Sequence, residues 1–154
     1  FDVPGGKIGI AICYELWFPD VARELSCRGA EVILYPTLTG TIDRPQELIL
    51  AQATAIQQQS YVFSINASGD YGNGQSIVVD PEGKVLYQAK DTEESMPLEI
   101  DFNHVRRVRE RGTCGLGQTI KSFRDNPMNS QRECLDSEYL SKLGALEIHK
   151  SSEN

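Results

Sequence analysis

The sequence predicts an α/β fold built around a mixed sheet, because short apolar segments alternate with segments of helical periodicity along most of its length. Residues 7–13, 32–35 and 61–67 are apolar or rich in β-branched and aromatic side chains, as in strands that are covered on both faces. Helical patterns separate these strands, and a tight turn joins two later ones. Strands with helices between them, followed by a hairpin, are typical of a layered sheet with parallel and antiparallel pairing.

The first helix is predicted from residue 19 to residue 28. Pro19 stands at its start, where a missing N–H leaves no helical bond unmade, and Asp20 follows in the first turn, where the helix dipole favours a carboxylate. Arg28 places a cation in the last turn, and Gly29 can adopt the positive φ that commonly ends a helix. The apolar residues between them share one face, so this helix can pack against the sheet.

The second helix is predicted to begin near Asp43, since Asp43 and Gln46, three residues later, match a capping pair. It runs to about Gln59 and presents small, apolar and amide side chains along one stripe. The stripe consists of Leu48, Ala51, Gln52, Ala55 and Gln59. We therefore expect the helix to pack through small residues.

Beyond the third strand the pattern changes to short strands and turns. The predicted elements are a glycine-rich loop at 68–74, a strand at 75–80, a turn at 81–84, strands at 85–90 and 96–101, and a basic helix at 103–111. Four arginines spread around the surface of that helix, which favours a solvated or subunit-contacting face over an anion-binding site. They are Arg106, Arg107, Arg109 and Arg111.

The composition is that of one ordinary globular domain with an acidic balance. Of 154 residues, 40% are hydrophobic and 24% charged, and 15 Lys+Arg against 22 Asp+Glu leave a formal charge of −7. Nucleic acids and anionic membranes attract basic surfaces, so neither is expected as a partner. The chain also lacks an apolar run near the roughly 18 residues of a membrane span.

The cysteines and histidines are too scattered for a metal site or a disulfide framework. The four cysteines form no C-x-x-C motif, and the two histidines stand alone in the sequence. These residues are Cys13, Cys27, Cys114, Cys134, His104 and His149. Four scattered cysteines in a chain of this length suggest reduced thiols, so we expect no metal or cofactor and a cytoplasmic location.

Cys13 is the strongest candidate for chemistry because of its position. It follows a predicted strand and precedes a predicted helix, so its side chain should emerge at the carboxyl edge of the sheet, where open α/β folds place their sites. Backbone N–H groups at such a turn can lower the pKa of a thiol and can bind an oxyanion. The alternative is a buried structural thiol. Glu15, two residues on, is expected to organise the turn more than to act on a substrate.

The residues around Cys13 form a long and specific pattern. The sequence reads GKIGIAICYELWFPD at 6–20, GAEVI at 29–33 and YP at 35–36. A strand leads to Cys, an aromatic residue and an acid. These are followed by Phe-Pro-acid, then by Gly-Ala-Glu, and then by a strand that ends in Pro. This order and spacing resembles the nucleophile motif of the nitrilase superfamily of carbon–nitrogen hydrolases, and in particular its amidase-like members.

The resemblance extends to about residue 111. The segment 53–67 is similar to the next helix and strand of the family, with Gln57 and Gln58 where Glu-Asn is commoner. GQS at 74–76 and the acidic Pro-Gly turn that follows it resemble the family's hairpin.

This resemblance implies an α-β-β-α sandwich of two stacked sheets between helices, and a mechanism based on cysteine, glutamate and lysine. The nucleophile maps to Cys13 and the oxyanion-binding N–H to Tyr14, while Trp17 and Thr37 line the substrate pocket. In the family the glutamate takes the thiol proton, the thiolate attacks an amide or nitrile carbon, and water then cleaves the acyl-enzyme.

In the family the glutamate and the lysine both precede the cysteine, and only 12 residues do so here. We therefore expect residues 1–111 to be the carboxyl-terminal half of such a sandwich, which needs an amino-terminal half to supply both groups. Residues 112–154 are expected to be a C-terminal tail that contacts a partner subunit. The implied partners are a small amide or nitrile substrate, the amino-terminal half and further copies in a homo-oligomer.

The expected function is hydrolysis of a non-peptide carbon–nitrogen bond in a small amide through a cysteine thioester. A nitrilase or a carbamoyl-amide hydrolase of the same superfamily is an alternative, because residues outside this chain build part of the acyl pocket. An alternative of another class is a catalytically silent domain used for assembly or interaction. The reactivity of the Cys13 thiol separates these classes.

Overall fold

The computed structural model describes residues 1–127 and 137–146, and its centre is one six-stranded sheet. The strands are β1 (Asp2–Val3), β2 (Gly6–Ile10), β3 (Val32–Thr37), β4 (Tyr61–Asn66), β5 (Ile77–Val79) and β6 (Val85–Gln88). The helices are α1 (Pro19–Cys27), α2 (Arg44–Gln58), α3 (Phe102–Arg111), α4 (Thr119–Asp125), a last short helix (Glu138–Ser141) and two 3₁₀ helices (Cys13–Trp17 and Gly69–Tyr71). None of the described helices is long and apolar enough to cross a membrane.

The strands lie side by side in chain order, and β2, β3 and β4 form a parallel centre. Ile10 lies opposite Leu34, and Leu34 lies opposite Phe63. The outer strands β1, β5 and β6 pair antiparallel, so the predicted mixed sheet is confirmed. Because α1 and α2 return the chain between the parallel strands, the carboxyl ends of β2, β3 and β4 meet at one edge.

One face of the sheet is covered by α1 and α2 and forms the main core. Ile33, Val62 and Val79 are fully buried there, and they pack against small side chains of the two helices. Ala51 and Ala55 of α2 are also fully buried. The prediction that this helix packs through small residues is therefore confirmed for these two alanines.

The opposite face is covered only in part. Val105 of α3 packs with Val32 and Tyr61 in a second, smaller core. Nearer the carboxyl edge the same face is open, and Ile10 and Ile65 are 44% and 46% exposed. Within the described residues this end of the sheet is therefore covered on one face only, because α3 reaches only part of the other face, and its cover on both faces stays a prediction.

The strand predicted at residues 96–101 is absent from the described structure. Pro97 has no N–H to donate to a ladder, and Met96 is exposed. Leu98 and Ile100 do alternate with exposed residues, but Ile100 packs against the core beneath α3. The alternation thus belongs to an irregular segment that lies against the sheet without joining it.

The start of α2 lies where it was predicted, yet the capping pair does not form. The Asp43 side chain makes no hydrogen bond to the helix and accepts one from the Thr41 hydroxyl instead. Pro45 occupies the first turn of α2, where its missing N–H has no helical partner to lose. The start of α2 is therefore favoured by Pro45 in the first turn and not by a carboxylate cap.

Arg106 on α3 binds within the protein and is not simply solvated. Its guanidinium donates to the Glu31 carboxylate at 2.8 Å and to the Gly5 carbonyl at 2.6 Å. Arg107, in contrast, forms a half-exposed ion pair with Asp101. Arg106 therefore ties α3 to the start of β2 and of β3 while its side chain stays 53% exposed, as the expectation of a solvated face predicts.

Arg109 makes a second internal clamp, and the same expectation is wrong for it. Its guanidinium donates to the Ala30 carbonyl at 2.5 Å, the Ser60 hydroxyl at 2.7 Å and the Gln59 carbonyl at 3.2 Å. These acceptors lie in the turns that lead into β3 and β4, where no neighbouring strand pairs with them. Burial lowers the pKa of Arg109.

The first part of the tail is held against α2 and α3. The Gln59 amide donates to the carbonyl oxygens of Val108 and Gly117, and the Thr119 hydroxyl donates to Gln57. Part of the tail, including Cys134 and His149, lies outside the described residues. The proposed subunit contact of residues 112–154 stays a prediction.

Replacing Arg109 with Met is expected to lower the free energy of unfolding by about 3 kcal/mol, since several buried acceptors lose a charged donor. Arg28→Met is the matched control: Arg28 pairs with Glu24 on the exposed face of α1, so about 0.5 kcal/mol or less is expected. Urea denaturation of the two variants in the same buffer measures the difference. Equal losses would contradict the clamp.

Candidate active site

Cys13 lies at a sharp turn between β2 and α1. The regular strand ends at Ile10, and the 3₁₀ helix begins at Cys13 itself with φ of +50°. Non-glycine residues rarely adopt this left-handed region, and holding one there costs roughly 1–3 kcal/mol. The predicted junction between a strand and a helix is confirmed, although the strand ends before the cysteine. Strained turns of this kind present the nucleophile in α/β hydrolases.

Glu15 holds this turn together. Its carboxylate accepts the Ile12 N–H at 2.5 Å, and its own N–H donates to the Ile12 carbonyl at 3.0 Å. The two bonds close the chain around Cys13, so the expectation that Glu15 organises the turn is confirmed. Because its carboxylate is engaged by the backbone, Glu15 is a positioning residue rather than a candidate base.

The Cys13 side chain is partly exposed, as a nucleophile that meets a substrate must be. Tyr14, the next residue, is 64% exposed, and its ring packs edge-on against Phe18 at 5.2 Å between centroids. Trp17 lies 6.3 Å from the Tyr14 ring and completes a small aromatic group beside the cysteine. The thiol therefore opens to solvent at an aromatic rim.

Thr37 and Trp17, the predicted pocket residues, both flank the turn. Ile10 pairs with Leu34, and Cys13 and Thr37 each follow three residues later in the chain. The 3₁₀ helix that begins at Cys13 packs against β3. Thr37 is buried, and its hydroxyl donates to the Tyr35 carbonyl at 3.0 Å. Their role toward a substrate stays a prediction.

Two buried polar atoms near this turn have no partner among the described residues. They are the indole nitrogen of Trp17 and the hydroxyl of Tyr35. Burial, with a smaller contribution from the Glu15 carboxylate, raises the pKa of the Tyr35 hydroxyl far above its ordinary value. Tyr35 therefore stays protonated and can only donate or accept a hydrogen bond.

A buried ion pair lies under the loop that follows β3. Arg44 is fully buried, and its guanidinium donates to the Glu47 carboxylate at 2.9 Å and to the Ser64 hydroxyl at 3.1 Å. It also donates to the Gln75 carbonyl at 2.9 Å. One side chain thus joins the first turn of α2 to the end of β4 and to the segment that enters β5.

The pair connects to a second set of hydrogen bonds at the same edge. The Thr39 hydroxyl donates to Glu47 at 3.0 Å, and the Thr39 N–H donates to the Asn66 side chain at 2.8 Å. Asn66 in turn donates to the Gly74 carbonyl at 2.9 Å. The bonds close on themselves, and we name the group the carboxyl-edge ring: Thr39, Arg44, Glu47, Asn66, Gly74 and Gln75.

The sequence prediction missed Arg44 and Glu47, because charged residues in a first helical turn normally face water. A signal was present in their spacing. Arg44, Glu47, Ala51 and Ala55 recur every three or four residues, so both charges fall on the buried face of α2. A charge on the apolar stripe of a helix indicates a buried partner.

A cleft of about 390 Å³ lies on the open face of the sheet. Phe63, Ile65 and Val78 form its floor, and Met96 and Leu98 of the irregular segment form its rim. Its lining is chiefly apolar at the floor, so the cleft is a surface that another element can cover. Cys13 does not line it.

Other reactive groups do not gather around Cys13. Lys7 pairs with Asp2 at the edge of the sheet. Among the described ranges, 1–127 and 137–146, no three His, Cys, Asp or Glu side chains cluster as metal ligands would. Cys27 and Cys114 carry free, exposed thiols in that same part of the chain.

Comparison with known proteins identifies relatives of this chain. Human deaminated glutathione amidase is 36% identical over 112 residues, covering 69% of this chain and 34% of that protein. The omega-amidase Nit3 of Saccharomyces cerevisiae is 33% identical over 115 residues, covering 71% of this chain and 40% of that protein. This chain therefore spans little more than a third of the curated relatives it matches.

Solved structures show the same fold. The crystal structure of S. cerevisiae Nit3, described as a member of branch 10 of the nitrilase superfamily, matches with a TM-score of 0.63 and 29% identity, covering 81% of this chain and 43% of that one. A mutant amidase from Nesterenkonia sp. AN1, with the acetamide moiety of fluoroacetamide added covalently at its active-site cysteine, matches with a TM-score of 0.56 and 26% identity. That match covers 59% of this chain and 36% of that one.

The family model for carbon–nitrogen hydrolases matches residues 1–110, which is most of the chain and includes the whole sheet. The mixed sheet with its helices agrees with the nitrilase-superfamily structures. The chain belongs to the carbon–nitrogen hydrolase family.

Proposed function

We propose that this chain is the nucleophile-bearing part of an amidase that hydrolyses a small amide through a thioester at Cys13. The observation that carries the proposal is the left-handed φ of Cys13 at a turn held by Glu15. A partly exposed thiol in such a turn can meet a substrate, and backbone strain is retained where a precise position matters.

The proposed reaction has two steps. The Cys13 thiolate attacks the amide carbon, and the Tyr14 N–H donates to the oxygen as it gains charge. The carbon–nitrogen bond breaks, the amine leaves with a proton, and a thioester remains on Cys13. Water then cleaves the thioester, which releases the carboxylic acid and restores the thiol. Trp17 and Thr37 are proposed to line the acyl pocket.

The relatives favour an amide over a nitrile as substrate. The human and yeast proteins are named amidases, and the Nesterenkonia amidase carries an acetamide moiety on its active-site cysteine. The names of these relatives describe other proteins, and they support the same chemistry here because the family region at residues 1–110 includes Cys13. Nitrile and carbamoyl-amide hydrolysis are the competing activities within the family.

The base and the amine are proposed to come from an amino-terminal half of the same fold. Glu15 is engaged by the Ile12 backbone, and Lys7 is paired with Asp2. The open face around Ile65 is suited to receive a second sheet, since stacked sheets bury facing apolar side chains. We also propose that the complete enzyme is a homo-oligomer in a reducing, cytoplasmic compartment, in accord with the free thiols.

Replacing Cys13 with Ala in the protein purified with its amino-terminal half is expected to lower kcat/KM for a small primary amide by about 10³-fold or more, since no other thiol lies at the turn. Ammonia release across amides, nitriles and carbamoyl amides measures the loss and identifies the substrate class. The matched control is Cys27→Ala, which removes an exposed thiol of α1 and should keep full activity. Activity retained in the Cys13 variant would rule out this nucleophile.

In the protein purified with its amino-terminal half, iodoacetamide is expected to label Cys13 about 10-fold faster than Cys27 or Cys114 at neutral pH, because the proposed base accepts the proton of this thiol. Peptide mass spectrometry at short times resolves the three sites in one sample. Equal and slow labelling would favour the silent assembly domain instead.

Introducing a charge into the open face should prevent assembly with the amino-terminal half. Ile65→Lys is expected to reduce co-purification of the two halves about 10-fold or more, because the ammonium would be buried without a partner. The control is Leu116→Lys, which changes an exposed residue of the turn after α3. Equal recovery of both variants, or a cooperatively melting monomer of this chain alone, would contradict the proposed cover.

A further inference from the structure

We propose that the buried Arg44–Glu47 pair positions the segment Thr37–Thr39 as one wall of the acyl pocket, and so helps to determine which acyl groups the enzyme accepts. This inference rests on the proposed function of Cys13. Arg44 and Glu47 touch neither the thiol nor a substrate, and they are positioning residues that act through Thr39.

The ion pair is buried to a degree that its contribution to stability does not explain. The Arg44 and Glu47 side chains are 0% and 4% exposed. Taking two charges out of water costs free energy that their attraction repays only in part, and apolar replacements of buried pairs are often as stable or more so. One donor of Arg44, its Nε, is buried without an acceptor among the described residues. Because burial of this pair is costly, we infer that its role is to hold the surrounding chain in one geometry.

The geometry that the pair specifies lies at the carboxyl edge. Glu47 holds the Thr39 hydroxyl, and Asn66 holds both the N–H and the carbonyl of Thr39. Both backbone groups of Thr39 are thereby used, so the residue cannot shift along the edge without breaking bonds on two sides. The carboxyl-edge ring therefore fixes the path of the chain just after β3.

Arg44 fixes the other side of the same ring. Gln75 adopts a φ of +56°, which is unusual for a side chain of its kind, and its carbonyl accepts from Arg44. Gly74 has a φ of +62°, and a Cβ at this position would lie 2.6 Å from the Lys90 carbonyl oxygen. The backbone N–H groups of Gly74 and Gln75 donate to the carbonyl oxygens of Ala67 and Lys90, and the guanidinium adds a side-chain bond to the Gln75 carbonyl.

The wall is close to the nucleophile in the sheet. The β2–β3 pairing ends at Ile10 and Leu34, three residues before Cys13 and Thr37, and the 3₁₀ helix that begins at Cys13 packs against both β3 and α2. Leu38, between the two threonines, is 62% exposed and extends from the edge. Moving Thr39 would therefore move Leu38 relative to the thiol, while the β3–β4 pairing holds Thr37 and Glu15 separately holds the turn at Cys13.

The test is the double variant Arg44→Met/Glu47→Leu, which removes both charges and keeps the volume. In the protein with its amino-terminal half, the urea midpoint should stay unchanged or rise, while amide hydrogen exchange at Thr39 should quicken about 10-fold relative to that at Val62. The kcat/KM ratio between a short and a branched acyl amide should change about 5-fold or more, with iodoacetamide labelling of Cys13 unchanged. A merely stabilising pair would shift the midpoint and leave the ratio alone.

The matched control is Glu24→Leu/Arg28→Met, which removes an exposed ion pair of α1 and should change neither exchange at Thr39 nor the acyl preference. Thr39→Val removes only the hydroxyl bond to Glu47, and it is expected to change the kcat/KM ratio between the two acyl amides in the same direction as the double variant. It replaces the double variant in the test if that variant fails to fold. If the double variant and Thr39→Val both kept the acyl preference and the Thr39 exchange rate of the parent protein, the inference would be overturned. If the parent hydrolyses no amide and Cys13 labels slowly, the proposed function fails, and Thr39 exchange alone still decides whether the ring fixes the loop.

Discussion

Parallel pairing of β2, β3 and β4 brings the ends of three strands to one edge of the sheet, and the candidate site is built on that edge. Thr37 pairs directly with Asn66, and Cys13 follows the strand on the other side of Thr37. Because a slip by one residue would turn the buried Ile33 and Val62 outward, the core fixes the register and the register fixes which side chains meet. Core packing is therefore also the reason that Thr37 lies beside Asn66 at the edge where the chain turns at Cys13.

The two faces of this sheet are held by different forces. On one face, α1 and α2 pack through alanines against fully buried aliphatic side chains. On the other, Arg106 and Arg109 hold α3 at the amino ends of the strands by hydrogen bonds to backbone carbonyls. A helix held at its position by two polar clamps cannot slide toward the carboxyl edge. The face around Ile65 consequently stays open while the face under α2 is complete.

Much of this arrangement could be predicted from the sequence, and the exceptions have physical causes. An apolar run ending at Cys13 and Pro19 shortly after it mark a strand, a turn and a helix, so local signals sufficed there. Arg44 was not predictable from its neighbours, because its burial depends on acceptors 20 and 31 residues away in the chain. Residues 96–101 have strand-like alternation, yet they pair with no strand of the described sheet. Pairing is a tertiary property that alternation alone cannot report.

Strain at a nucleophile has to be sustained by the rest of the structure, and here its support lies within the chain. The left-handed turn at Cys13 is closed by Glu15 and anchored where the Ala11 N–H donates to the Leu34 carbonyl at 3.0 Å. In the proposed two-part enzyme, covering the open face would therefore add the missing base, the amine and stability, whereas the position of the sulfur would already be set. In the proposed enzyme, the geometry of the nucleophile and the chemistry that activates it are thus separate contributions, and we propose that residues 1–111 supply only the first.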